Sequence, residues 1–194
     1  MLLALSAVGV DSAHAQVFSA DAVKAAFLHR FASYVEWPPD AIGEGPFVIA
    51  VAGAEQVAQH LEQLLPGITV QGHRAEVRRV ARINELDGVH ILYVGPEMLG
   101  RTRELRAAAR TRPVLLVTDG DDGFDGGGVI NFLQSDNKVR FEVSLTAADR
   151  ARLRIDSALL PVAARVERQP QAGLPLDPLG PRYRKSACRV AQAT

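Results

Sequence analysis

Three near-continuous apolar runs constrain this chain most: FVIAVA at Phe47–Ala52, VHILYV at Val89–Val94 and VLLV at Val114–Val117. A strand with one wet face alternates apolar and polar residues. Runs apolar at nearly every position fit strands covered on both faces, as in a parallel sheet between helical layers. The segments between them agree. Glu55–Leu65 places Val57, Leu61, Leu64 and Leu65 on one side and stops at Pro66-Gly67, which predicts a helix and its end. Ile68–Val80 is polar and Arg-rich, as expected of a strand nearer the sheet edge. Asn84–Gly88 suits a short helical turn, and Glu97–Arg110 a charged helix. Val129–Leu133 and the alternating VRFEVSL at Val139–Leu145 flank the turn residues Gln134–Lys138 and predict a hairpin. Ala147–Val166 is expected to finish as helix, with Ile155, Leu159, Leu160 and Val162 inward and Pro161 starting or kinking a turn. The whole predicts a single α/β domain: a three-layer sandwich with a mostly parallel sheet and a C-terminal hairpin.

Ahead of these runs stands KAAFLHRFASYVEWP, Lys24–Pro38. Val23, Phe27, Phe31, Tyr34 and Val35 recur at helical spacing and predict one core-facing stripe, leaving Lys24, Arg30 and Glu36 in water. Asp21 stands in the expected N-cap position. Pro38 disfavours helical backbone at Trp37, so the helix is expected to end there.

At 194 residues, the chain has room for one domain with a real core. Lys plus Arg and Asp plus Glu number 22 each, so no global field gathers nucleic acid or an anionic membrane. Met1–Ala15 is a short apolar stretch closed by Ala13-His14-Ala15, which fits a signal peptide cleaved before Gln16. No Lys or Arg precedes Lys24, so the charged start of that signal is expected upstream of Met1. Asp11 interrupts the stretch, which is too short to span a bilayer. The domain is expected over residues 16–166. From Glu167 to Thr194 the composition shifts to Pro, Gln, Gly and Arg, as in a disordered, solvated tail. Arg168, Arg182, Arg184, Lys185 and Arg189 oppose only Glu167 and Asp177 there. The lone Cys188 lies in this tail and has no partner for an internal disulfide.

Catalytic patterns are thin. No serine sits in Gly-x-Ser-x-Gly. His29, His60, His73 and His90 form no i, i+4 pair, so helical zinc ligation is not encoded, and whether they meet in space is left to the fold. The loop Thr118–Gly128 carries Asp119, Asp121, Asp122 and Asp125, which invites a calcium reading. Its spacing fails: Gly123, Phe124 and Ile130 stand where an oxygen ligand, the glycine and the bidentate Glu of an EF-hand belong. Gly126–Gly128 precedes a strand and not a helix, so it is no dinucleotide fingerprint. The arginines of 74–82 and 101–112 lack interleaved aromatics and read as solvated faces. No catalytic, cofactor or metal residues are assigned.

Two blocks in this order resemble the YfiR family of periplasmic proteins: KAAFLHRFASYVEWP, and GGVINFLQSDNKVRFEVSLTAADRARLRIDSALLPVAARV at Gly127–Val166. The second carries that family's Gly-Gly, strand, Asn-x-Val-x-Phe-Glu and Ser-x-Leu-Leu-x-x-Ala pattern. The resemblance covers about Asp21–Val166. It implies a non-enzymatic periplasmic regulator that binds the periplasmic domain of an inner-membrane diguanylate cyclase, or a related sensor kinase, and holds it inactive. It also implies homodimers and sequestration by an outer-membrane lipoprotein. Disulfide control, known in the family, does not transfer to a chain with Cys188 alone. Phe27, Trp37 and Phe141 are expected to pack the core. Arg140 and Glu142, on the opposite face of their strand from Phe141, are the expected partner contacts. The alternative is a periplasmic small-ligand-binding protein feeding a membrane sensor or transporter, with loops such as Thr118–Gly128 at the sheet edge.

Overall fold

The computed structural model describes residues 19–82, 85–98, 103–110, 112–120, 124, 127–135 and 138–168. Met1–Ala15, the tail past Arg168 with Cys188, and Asp121, Asp122 and Asp125 lie outside the described residues.

The apolar runs form the centre of the sheet. Strands β2 (Phe47–Ala52), β5 (Val89–Val94) and β6 (Leu115–Asp119) are buried at every position. Around them lie β3 (Thr69–Val70), β4 (His73–Arg79), β7 (Ile130–Ser135), β8 (Lys138–Ser144) and β10 (Arg165–Glu167). The order is β10-β8-β7-β6-β5-β2-β4-β3, eight strands among the described residues. Pairing is parallel from β4 through β2, β5 and β6 to β7, whereas β7 and β8 form the expected antiparallel hairpin with Phe132 opposite Phe141. Helices α1 (Ala20–Tyr34) and α2 (Glu55–Leu64) cover one face and α3 (Arg103–Arg110) the other. Along β2 the side chains divide accordingly: Phe47, Ile49 and Val51 join the α1–α2 core, and Val48, Ala50 and Ala52 join Ala109 behind the sheet. The three-layer, mostly parallel fold is therefore the one the runs predict.

Four local expectations are corrected. Ser19 caps α1, its Oγ accepting from the Ala22 N–H at 3.2 Å, so Asp21 lies inside the first turn. The helix closes at Tyr34, before Trp37, because Val35–Glu36 (β1) turn extended and pair with Arg154–Ile155 (β9). The expected helix over Ala147–Val166 shrinks to α4 (Leu145–Arg150). Arg152 there adopts φ +58°, which ends helical progress, and the chain runs through β9 and a 3₁₀ turn at Leu160–Val162 into β10 beside β8. The helix expected over Glu97–Arg110 is a 3₁₀ turn at Pro96–Met98 followed by α3.

Strand order reverses between β2 and β5, where an open parallel sheet usually leaves a crevice. Here backbone narrows it, leaving an opening of about 330 Å³ lined by Gly53, Glu55, Arg79, Glu85 and Glu97. Gly53 at φ +65° packs on Met98, and a Cβ added to Gly95 would lie 2.3 Å from the Gly53 carbonyl oxygen. Gly95→Ala is expected to cost about 1–3 kcal/mol by overpacking, read as a lower urea midpoint.

His90 is buried at 5% exposure, stacked on Phe47 at 4.6 Å, with Nδ1 accepting from the Val48 N–H at 3.1 Å. Burial holds its pKa below the ordinary 6.5, and nearby His73 and Arg78 add to that, against a hydrogen bond with the Ala41 backbone. The unfolded chain then binds the extra proton, so stability present above pH 6.5 is lost as pH falls through it. His29, lowered by burial and Arg30, acts in the same direction. Urea unfolding from pH 8 to 5 should therefore show a declining free energy. His90→Asn, which keeps a neutral acceptor, should flatten the decline, and an unchanged slope would contradict this assignment.

Candidate functional site

The main surprise lies under α1. Lys24, expected in water, is 7% exposed, and its Nζ reaches Asp119 Oδ2 at 2.5 Å. Asp119 ends β6, and Tyr93 of β5 donates its hydroxyl to the same carboxylate oxygen at 2.7 Å. Burial, with the Asp119 charge and this hydrogen bond behind it, pushes the Tyr93 pKa far above its ordinary value, so the phenol stays a donor. The helix presents Lys24, Leu28, Phe31 and Val35 inward, an i, i+4, i+7, i+11 ridge, while Val23 and Phe27 sit to one side, partly exposed. Sequence periodicity placed the stripe one residue off, because every position flanking Lys24 is apolar. The signal for Lys24 was its place on the Leu28–Phe31 ridge; the signal for Asp119 was a carboxylate closing an apolar strand.

A second buried network adjoins this one. Thr118 Oγ1 donates to Asn131 Oδ1 at 2.8 Å, and Asn131 Nδ2 donates to the Gly120 carbonyl and to Glu142 Oε1, each at 3.1 Å. The other Glu142 oxygen accepts from Arg165 Nε at 2.8 Å, and Ser144 donates to Glu167 at 2.6 Å. Of the two expected partner contacts, only Arg140 is exposed. Glu142 is 3% exposed because β10 adds beyond β8 and lays Arg165 on its carboxylate, a consequence of the missed strand. Trp37 and Phe141 are buried, whereas Phe27 is only partly so.

These groups hold the fold together. Ser19 Oγ accepts from the Ala22 N–H and lies 3.4 Å from His60 Nε2. Among the described residues no three His, Cys, Asp or Glu side chains group as a metal site. Arg79 is clamped between Glu55 and Glu62 across α2. A groove runs along α1 and α2. One stretch, of about 550 Å³, is lined by Ala22, Val23, Phe27, His60, Gln63 and others; a second, of about 400 Å³, by His29, Ser33 and Tyr34. Ala26, Arg30 and Leu64 line both, and Leu64 is 39% exposed. Val162 and Val166 are exposed near β10, at 66% and 38%.

The fold is a three-layer α/β domain whose first two helices keep apolar surface open, with Leu64 exposed between them. The chain belongs to the YfiR/HmsC-like family, whose model matches residues 21–164. No curated protein matches the sequence. In fold it resembles a conserved domain protein from Vibrio cholerae O1 biovar El Tor, at 10% identity and a TM-score of 0.50, over 77% of this chain. This chain spans 60% of that protein's length. Among the described residues no helix is long and apolar enough to cross a membrane.

Removing one partner of the buried pair should be severe. Asp119→Ala is expected to cost about 3–5 kcal/mol by stranding Lys24, whereas Lys24→Met with Asp119→Leu should recover most of it. Guanidinium unfolding of the single and double variants checks this, and equal losses would show that the charge contributes nothing.

Proposed function

We propose that this chain is a periplasmic regulator that binds the periplasmic sensor domain of an inner-membrane diguanylate cyclase and represses cyclic-di-GMP synthesis. The family match over residues 21–164 carries the reading. The candidate export segment Met1–Ala15 supports the compartment, and the balanced charge gives no support to nucleic acid as partner. The regulator acts without chemistry of its own. Occupancy of the sensor favours its inactive conformation, and the cytoplasmic cyclase follows as a coupled population shift bounded by the difference in affinity for the two states. An outer-membrane lipoprotein that removes the regulator relieves the repression, and the regulator works as a homodimer.

Exposed Arg140 is a contact in this reading, and Glu142 acts behind it as a positioning group for Arg165. Deleting the gene is expected to raise cellular cyclic-di-GMP several-fold, measured by mass spectrometry of extracts, and re-expression to reverse it. Arg140→Glu, at unchanged protein level, should reproduce part of the rise. An unchanged nucleotide level on deletion would remove the repressor reading.

A further inference from the structure

The two stretches of groove along α1 join at Ala26, Arg30 and Leu64 into one channel from Ala22 to Tyr34. At about 1.5 Å per residue this is about 18 Å, the length of a three-turn helix of about a dozen residues. Apolar side chains and small ones, Ala22, Ala26 and Ser33, line it, so a second backbone can approach closely. In its middle stands exposed Arg30, which forms no ion pair among the described residues, and no carboxylate lines either stretch. Glu62, on α2, is held by Arg79.

We propose that this groove seats an amphipathic helix of the partner whose apolar stripe carries a carboxylate at its middle, paired with Arg30. The inference rests on the regulatory reading above and names the docking chemistry of that partner. A second copy of this chain fits less well. A two-fold axis near the groove centre would bring Arg30 against its own copy with no acid to neutralise either. The partner helix instead supplies apolar residues three and four positions to either side of its Asp or Glu, the helix-in-groove pattern of anchors.

The test is photo-crosslinking in whole cells carrying the full chain with p-benzoylphenylalanine at exposed position 26, and at position 140 as a second probe. The cell's membrane diguanylate cyclases are tagged one at a time, and products are mapped by peptide mass spectrometry. The expected product joins position 26 to a helix of a cyclase's periplasmic domain that has a carboxylate within its apolar stripe. Arg30→Glu should lower that yield at least tenfold, Arg30→Lys should preserve it, and reversing the mapped carboxylate to Arg should rescue Arg30→Glu. Thermal unfolding of each variant confirms that it folds. A cyclase captured at position 140 but not at 26 would overturn the groove assignment and leave the regulatory reading standing. A cyclase captured at neither position would count against both. Position 26 joined to a second copy of this chain, or to a cyclase segment without an acid, would also overturn it.

Discussion

A single buried cation decides where the first helix lies. Lys24 drops from α1 onto the end of β6, where Asp119 receives it and Tyr93 completes the carboxylate's hydrogen bonding. Ions are costly to desolvate, so such a pair adds little net stability, yet either half alone is strongly destabilising. Its effect is to specify one placement of the helix. With Lys24 fixed, Phe31 meets Phe141 edge-to-face at 5.1 Å and Phe132 at a tilt at 5.8 Å, and Phe27 meets Phe141 edge-to-face at 5.4 Å. The helix is thereby joined to the hairpin by aromatic contacts and to the central strands by charge. The face it turns away from the sheet, from Ala22 through Arg30, becomes the groove's wall.

The central sheet was legible because burial on both faces leaves a simple mark. FVIAVA, VHILYV and VLLV have no wet side, and they are the middle strands. The hairpin was legible from alternation around a Ser-Asp-Asn turn. The C-terminal stretch misled because Leu159, Leu160 and Val162 mimic helical spacing, while the left-handed residue Arg152 and the edge pairing of β10 leave almost no local trace. That miss put Glu142 on the surface, since without β10 nothing in the sequence covers it. Lys24 was misread for a related reason. A lysine is ordinarily solvated, and only its acceptor Asp119, 95 residues away, makes burial possible.

Function was legible chiefly through the pairing of two sequence blocks, and the structure gives that pairing a physical sense. The first block is α1 and the second the hairpin with its continuation, and they touch through Phe27, Phe31 and Phe141. The buried polar residues lock these parts together, while the outer face of α1 and the Arg140 side chain stay exposed. In the proposed function such a module acts by occupancy, its affinity for one conformation of the partner bounding the extent of repression.

The most direct measurement is affinity purification of the tagged chain from solubilised membranes, with retained diguanylate cyclases quantified by mass spectrometry. The account predicts one cyclase retained in stoichiometric amount through its periplasmic domain. Purification of the chain with no cyclase from membranes that contain them would contradict it.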